Sequence, residues 1–372
     1  MTLQKTGAPA PRPGVLRISR YTQGASEVNG VRDPIKLSSN ESSAGPSPQA
    51  LTAYTDAAAT LHRYTDGSQA ALREAIAEVH NLEPANIVCG NGSDELIQLI
   101  TRAYVGDGDE VLMSQNCFLM CRIHALAQGA NVVVAPEKND RVDVDELLAR
   151  VTGKTRLLPL ANPNNPTGTY ISGDEVRRLH AGLPTNVILL LDGAYAEYVT
   201  ADDYDAGADL VRSNYNVVMT RTFSKIYGLA ALRIGWAYLP DSMLDVVQRI
   251  RTPFNANGPA MAAAAAAVRD SEFTATVRAR NARALEAVSS RLHALGLQVL
   301  PSVTNFYLIR FPASCGVTAA DAAECLEAAG IIPRPTGGED AELRITVGTD
   351  AENEAVLTVF ESFIKSAVSK AG

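Results

Sequence analysis

Between residues 86 and 238, short apolar runs alternate with stretches of helical pattern, and this alternation constrains the fold more than any other feature of the chain. The candidate strands are residues 86–90, 110–114, 131–135, 156–160, 187–192, 216–220 and 234–238. Helical patterns fill 94–104, 117–127, 142–151 and 173–181 between them. Several of the runs are unbroken apolar stretches apart from an end residue, as strands buried on both faces are. Such strands, joined through helices, form a mainly parallel sheet covered on both sides. Ligands of these sheets sit at the carboxyl ends of the strands. The expected fold class is α/β, with a large domain built on a mainly parallel seven-stranded sheet.

The flanks read differently. Residues 1–35 are Pro-rich, then mixed polar, and read as an arm. Beyond Asp241, helices are expected over 242–251, 259–269, 272–295, 319–329 and 352–369, with strands at 297–300, 305–311, 331–332 and 343–347. That mixture is a smaller α+β domain. The expected division is an arm over 1–35, a large domain over 36–255, and a small C-terminal domain over 256–372 packed with part of the N-terminal segment. A chain of 372 residues is long enough for both.

Composition removes some function classes. A net charge of -8 argues against a general nucleic-acid binder. The longest apolar run, 260–268, is far short of a membrane span. Residues 1–14 lack the apolar core of a signal peptide. Five scattered cysteines, an odd number, suit a reducing compartment, so a cytoplasmic protein is expected. Cys117, Cys121 and His124 lie close together. Without a CxxC pair or a fourth ligand they read as one helix face and not as a metal site.

Four segments carry chemistry. In Thr222-Phe-Ser-Lys-Ile-Tyr-Gly-Leu-Ala-Ala-Leu-Arg233, a lysine follows a strand end. Lysine amines form Schiff bases with aldehydes. The hydroxyls of Thr222 and Ser224 and the planar fork of Arg233 suit a phosphate beside it. The bland alternative is a surface lysine in a Ser/Thr loop. In Leu190-Leu-Asp-Gly-Ala-Tyr-Ala-Glu197, Asp192 closes an apolar run, where a carboxylate can hold a pyridine nitrogen protonated. A helix N-cap is the other reading of this residue. Tyr195 can donate to a phenolic oxygen. Asn162-Pro-Asn-Asn-Pro-Thr-Gly168 reads mostly as a turn, with Asn165 within reach of a ring oxygen. Cys89-Gly-Asn-Gly-Ser-Asp-Glu95 sets glycines before a helix start, where the backbone N–H groups of Ser93 and Asp94 can meet an anion. It is neither a Walker loop nor GxGxxG.

Together these segments resemble the aspartate-aminotransferase superfamily of pyridoxal-phosphate (PLP) enzymes, fold type I, over residues 35–365. Within it the chain looks most like the histidinol-phosphate aminotransferases. Leu37-Ser-Ser-Asn-Glu41, Arg63-Tyr-Thr-Asp-Gly67, Gly92-Ser-Asp-Glu95 and Leu343-Arg-Ile-Thr-Val-Gly-Thr349 carry that likeness. An aromatic or broad-range transaminase is the alternative. The resemblance implies a ping-pong amino transfer between an amino donor and a 2-oxo acid. It makes Lys225 the Schiff-base lysine and pairs Asp192 with the pyridinium nitrogen. Tyr195 and Asn165 bind the ring hydroxyl, and Phe118 stacks on the ring. Ser93, Asp94, Thr222, Ser224 and Arg233 surround the cofactor phosphate. Tyr64 reaches it from a neighbouring subunit, which implies a homodimer with shared sites. Arg344 clamps the substrate carboxylate, and Arg334, Tyr21 and Asn40 complete the substrate side. Departures from the family pattern include Arg20 in place of proline, Gly193 in place of glutamate and Cys121 in place of tyrosine.

Overall fold

Each of the apolar runs becomes a strand of one sheet. The computed structural model describes residues 9–28, 30–336 and 342–371, with side chains through 366. Its strands are β1 Ile87–Gly90, β2 Glu110–Ser114, β3 Asn131–Ala135, β4 Thr155–Ala161, β5 Ile188–Asp192, β6 Val217–Thr222 and β7 Gly235–Tyr238. They lie in the order β1-β7-β6-β5-β4-β2-β3. The pairings are parallel except those of β7, which runs antiparallel to β1 and β6. The link from β6 to β7 holds a single 3-10 turn, Ala230–Leu232. No crossover helix carries the chain back, so β7 returns antiparallel. This short link carries both Lys225 and Arg233. It sets Gly235 opposite Gly90, at the carboxyl end of β1.

Helices cover both faces: α1 Pro48–Ala57, α2 Ala70–His80, α3 Gly92–Tyr104, α4 Leu119–Ala127, α5 Gly173–Gly182, α6 Asp241–Ile250, α7 Gly258–Arg269 and α8 Ser271–Ala294. Side chains alternate across a strand. Leu189 and Leu191 of β5 join one apolar core with Leu72 and Ile76 of α2, while Ile188 and Leu190 join another with Leu96 and Ile100 of α3. A strand sandwiched this way is apolar along most of its length, as β5 is from Ile188 to Leu191 before Asp192 closes it.

Helix α7 packs on the large sheet's side. Its Ala260, Ala263, Ala264 and Ala267 share the core of Ala50 in α1 and Leu72 in α2. The sequence reading placed residues 256–269 in the C-terminal unit. Alanine-rich helices lie close to their neighbours, and here the neighbours are α1 and α2.

A third core holds Val288 and Leu292 of α8, Tyr307, Ile309, Leu326, Leu343, Ile345 and Phe360. Its sheet comprises β8 Gln298–Val299, β9 Phe306–Arg310, β10 Arg334–Thr336 and β11 Glu342–Thr346, in the antiparallel order β8-β9-β11-β10. Chain from the N-terminal side completes it. Leu37 is part of that core, and Ile35–Lys36 pair in parallel with Ile331–Ile332. Within the expected arm, Pro13–Leu16 form one helical turn, and residues 1–8 lie outside the described residues. Among the described residues no helix is long and apolar enough to cross a membrane.

Candidate active site

The carboxyl ends of β4, β5 and β6 and the start of α3 open onto a cavity of about 590 Å³. All the residues expected at the site line it except Tyr64. Tyr64 is 86% exposed and stacks on Phe254, with ring centroids 4.8 Å apart.

Asp192 is the last residue of β5, which is why it faces the cavity. Thr220 Oγ1, on the neighbouring strand, donates to its Oδ1 at 3.1 Å. Burial pushes the carboxyl up to about 6 against the pull of that hydroxyl, and nearby Asp94 adds to the rise. Lys225 stands just beyond β6. Its Nζ donates to the Ser39 carbonyl oxygen at 3.3 Å and lies 5.6 Å from the Tyr195 ring centroid. Burial, and then the charge of Arg344, pull the amine down to about 8. The Tyr195 hydroxyl accepts from Asn40 Nδ2 at 2.9 Å, and its ring meets Phe306 edge-on. Burial pushes this phenol up to about 12, so it stays a neutral donor.

At one end of the cavity, α3 begins without a side-chain cap. Its first N–H groups therefore remain available to an anion. Arg233 Nη1 donates to Ser224 Oγ at 3.2 Å, and Thr222 Oγ1 donates to the same oxygen at 3.0 Å. Only glycines permit this closeness. A Cβ on Gly92, where φ is +79°, would sit 2.6 Å from Arg233 Nη2, and one on Gly235 would sit 2.5 Å from the Ser93 nitrogen.

At the other end are Arg344 and Arg334. Arg344 Nη1 donates to Asn165 Oδ1 at 2.6 Å and Nη2 to the Ser38 carbonyl oxygen at 2.8 Å; its Nε is buried without a partner. Arg334 Nη2 donates to the Thr22 carbonyl oxygen at 3.0 Å, and Tyr21 lines the cavity beside it. These bonds go to neutral oxygens, so the cationic charge at this end is left for a ligand.

The sequence reading missed several residues. Ser38 and Ser39 act through carbonyl oxygens, which no side-chain pattern signals. His124 Nε2 lies 3.0 Å from Asp94 Oδ1 and so fixes a carboxylate at the start of α3. Its spacing from Cys117 and Cys121 was visible, but not its partner. Cys117 lines the cavity and Cys121 is buried behind it. Among the described residues no group of three or more His, Cys, Asp or Glu side chains could hold a metal ion.

These groups fit PLP. A buried carboxylate faces the cavity with a raised pKa, which a cationic ring nitrogen would relieve. A buried amine is easily neutralised, and an uncapped helix start beside Arg233 suits a phosphate.

Comparison with known proteins agrees. The family model of aminotransferase class I and II matches residues 32–360. A protein of Maricaulis maris named histidinol-phosphate aminotransferase is 50% identical, covering 96% of this chain and 99% of its own. One of the same name from Rhodopseudomonas palustris is 48% identical, covering 96% and 98%. The crystal structure of histidinol-phosphate aminotransferase from Sinorhizobium meliloti, in complex with pyridoxal-5'-phosphate, superposes with a TM-score of 0.88 at 28% identity, covering 97% of this chain and 100% of that one.

Proposed function

This chain belongs to the class I and II aminotransferases and is a PLP-dependent transaminase, and from that premise we propose that it moves an amino group between L-histidinol phosphate and 2-oxoglutarate in histidine biosynthesis. The name shared by its relatives supports this donor. In the site, one observation carries the reading: the cavity has two cationic ends. Arg233, Ser224 and Thr222 form one; Arg344 and Arg334 form the other, bonded to neutral oxygens. A cofactor phosphate takes the first. The second suits a substrate whose anionic group stands apart from its amine, as in histidinol phosphate, and suits a 2-oxo acid in the reverse half.

When bound, PLP supplies an aldehyde that condenses with amines and a protonated ring that draws electrons from the substrate carbon. The chain's residues do the rest. Asp192 holds the proton on the ring nitrogen. Tyr195 and Asn165 donate to the ring oxygen, and Phe118 covers the ring. Ser93, Asp94, Thr222, Ser224 and Arg233 hold the phosphate. Lys225 Nζ would take the proton from the substrate carbon and pass it to the cofactor's aldehyde carbon, which requires the neutral amine that burial favours. Arg344 clamps the carboxylate, and Arg334 and Tyr21 hold the substrate phosphate.

The exposed Tyr64–Phe254 pair suits a surface covered by a second copy, with Tyr64 entering that copy's site and making the enzyme a homodimer. Five free thiols suit the reducing cytoplasm.

Steady-state comparison of histidinol phosphate with phenylalanine and tyrosine, each with 2-oxoglutarate, tests the substrate. The highest kcat/KM is expected for histidinol phosphate. A preference for the aromatic amino acids would make the enzyme an aromatic transaminase and remove this reading.

A further inference from the structure

Three successive residues of the N-terminal segment each hold a different group of the site. The Ser38 carbonyl oxygen accepts from Arg344 Nη2, the Ser39 carbonyl oxygen accepts from Lys225 Nζ, and Asn40 Nδ2 donates to the Tyr195 hydroxyl. The segment itself belongs with the smaller sheet's core: Leu37 is part of it, and Ile35–Lys36 pair with Ile331–Ile332 in a two-stranded sheet of their own.

Asn40 is pinned most tightly. It is 1% exposed. Its backbone N–H donates to Thr346 Oγ1 at 2.9 Å, and its carbonyl oxygen accepts from Asn305 Nδ2 at 3.0 Å. Its φ of +55° lies in the left-handed region, which Asn adopts more readily than most residues. Thr346 Oγ1 gives its own proton to the Leu37 carbonyl oxygen at 2.8 Å, so it holds Asn40 as the acceptor of the backbone N–H.

A phenol has one proton to give and accepts through its oxygen. Asn40 Nδ2 occupies an acceptor position on Tyr195 and cannot take the phenol proton in return. The Tyr195 proton is left for another acceptor, and the cavity is where one arrives. We propose that Asn40 is a positioning residue, which through Tyr195 aims the phenol proton at the cofactor's ring oxygen and through Thr346 ties that hydrogen bond to the seating of the C-terminal sheet. The proposal rests on the cofactor reading given above.

The test reads the pH midpoint of the bound cofactor's absorbance change. A donor at the ring oxygen favours the more anionic, deprotonated form, so losing it raises the midpoint. Asn40→Gly keeps the left-handed backbone and removes the amide. It should raise the midpoint by about 0.7 pH unit, the shift a single neutral hydrogen bond sustains. Thr346 is outside the cavity lining. Thr346→Val should shift the midpoint the same way by less, and Thr346→Ser, which keeps the hydroxyl, should leave it at the parent value. Should Asn40→Gly not fold, the Thr346 pair decides alone. Tyr195→Phe is the reference: it should raise the midpoint, and Asn40→Gly added to it should do nothing more. A midpoint unmoved by Tyr195→Phe would remove the cofactor role of Tyr195. A midpoint moved by Tyr195→Phe but by neither Asn40→Gly nor Thr346→Val would overturn this inference alone.

Discussion

Asp192 and Lys225 enter one cavity from neighbouring strands, and burial moves their ionisation in opposite directions, the carboxyl up to about 6 and the amine down to about 8. Each charge eases the other, yet burial outweighs that attraction for both. The site is therefore poised for a ligand that supplies a cation to the carboxylate and an electrophile to the amine.

The amine's shift sets how the cofactor loads. Only neutral Lys225 attacks an aldehyde, and its pKa of about 8 makes it neutral at lower pH than an ordinary lysine at 10.5. The rate of PLP uptake by the apoenzyme should rise with pH through about 8 and then level off. A rate still climbing steeply at pH near 10 would contradict the buried-amine account. Lys225→Ala should show no borohydride-stable label and lose turnover by roughly 10³-fold or more.

Asp192 gives a prediction of less obvious sign. Its folded pKa, about 6, lies above the unfolded value of 3.8, so the folded chain holds the extra proton between the two. Stability contributed by that proton is lost as pH rises through the window, and above it the buried charge is a net cost. Asp192→Asn should therefore stabilise the apoenzyme at pH 8, by up to about 3 kcal/mol, while most of the turnover disappears. A lower melting temperature for apo Asp192→Asn at pH 8 would count against this.

Gly92 has no room for a side chain. Ala at this position adds a Cβ 2.6 Å from Arg233 Nη2 at a φ of +79°. Arg233 must move, and the phosphate end opens. PLP affinity should drop by roughly 10-fold or more, as expected for disturbing a charge-assisted contact. Fluorescence titration of the apoprotein reads it, and unchanged affinity would mean that Arg233 does not hold the phosphate.

The shared-site dimer predicts complementation. Tyr64→Ala and Lys225→Ala should each be nearly inactive alone. After the two are unfolded and refolded together, mixed dimers carry one site with both Tyr64 and Lys225 intact. Activity should return to roughly a quarter of the parent value, since random pairing makes half the dimers mixed. No recovery, with mixed dimers verified by mass, would place Tyr64 in its own chain's site or in none.

Much of this was legible along the chain. The large-sheet strands could be read because a strand buried on both faces is apolar along most of its length, and that leaves a local mark. Asp192 and Lys225 could be read for a related reason: each stands at or just past such a run. The helix pattern of residues 259–269 was equally plain, but not its destination, because an alanine stripe does not say which core it will meet. Tyr64 was legible as a motif, while its exposure was not.

What the sequence determined alone is therefore the sheet, the strand ends and the kinds of side chain placed there, since each follows from neighbours within a few positions. Tertiary structure decided the rest. Asn40 meets Thr346 across 306 positions, and Lys225 meets the Ser39 carbonyl across 186. Those contacts, and the pKa shifts that burial causes, sum over atoms brought together only when the cores close, so no stretch of sequence carries them.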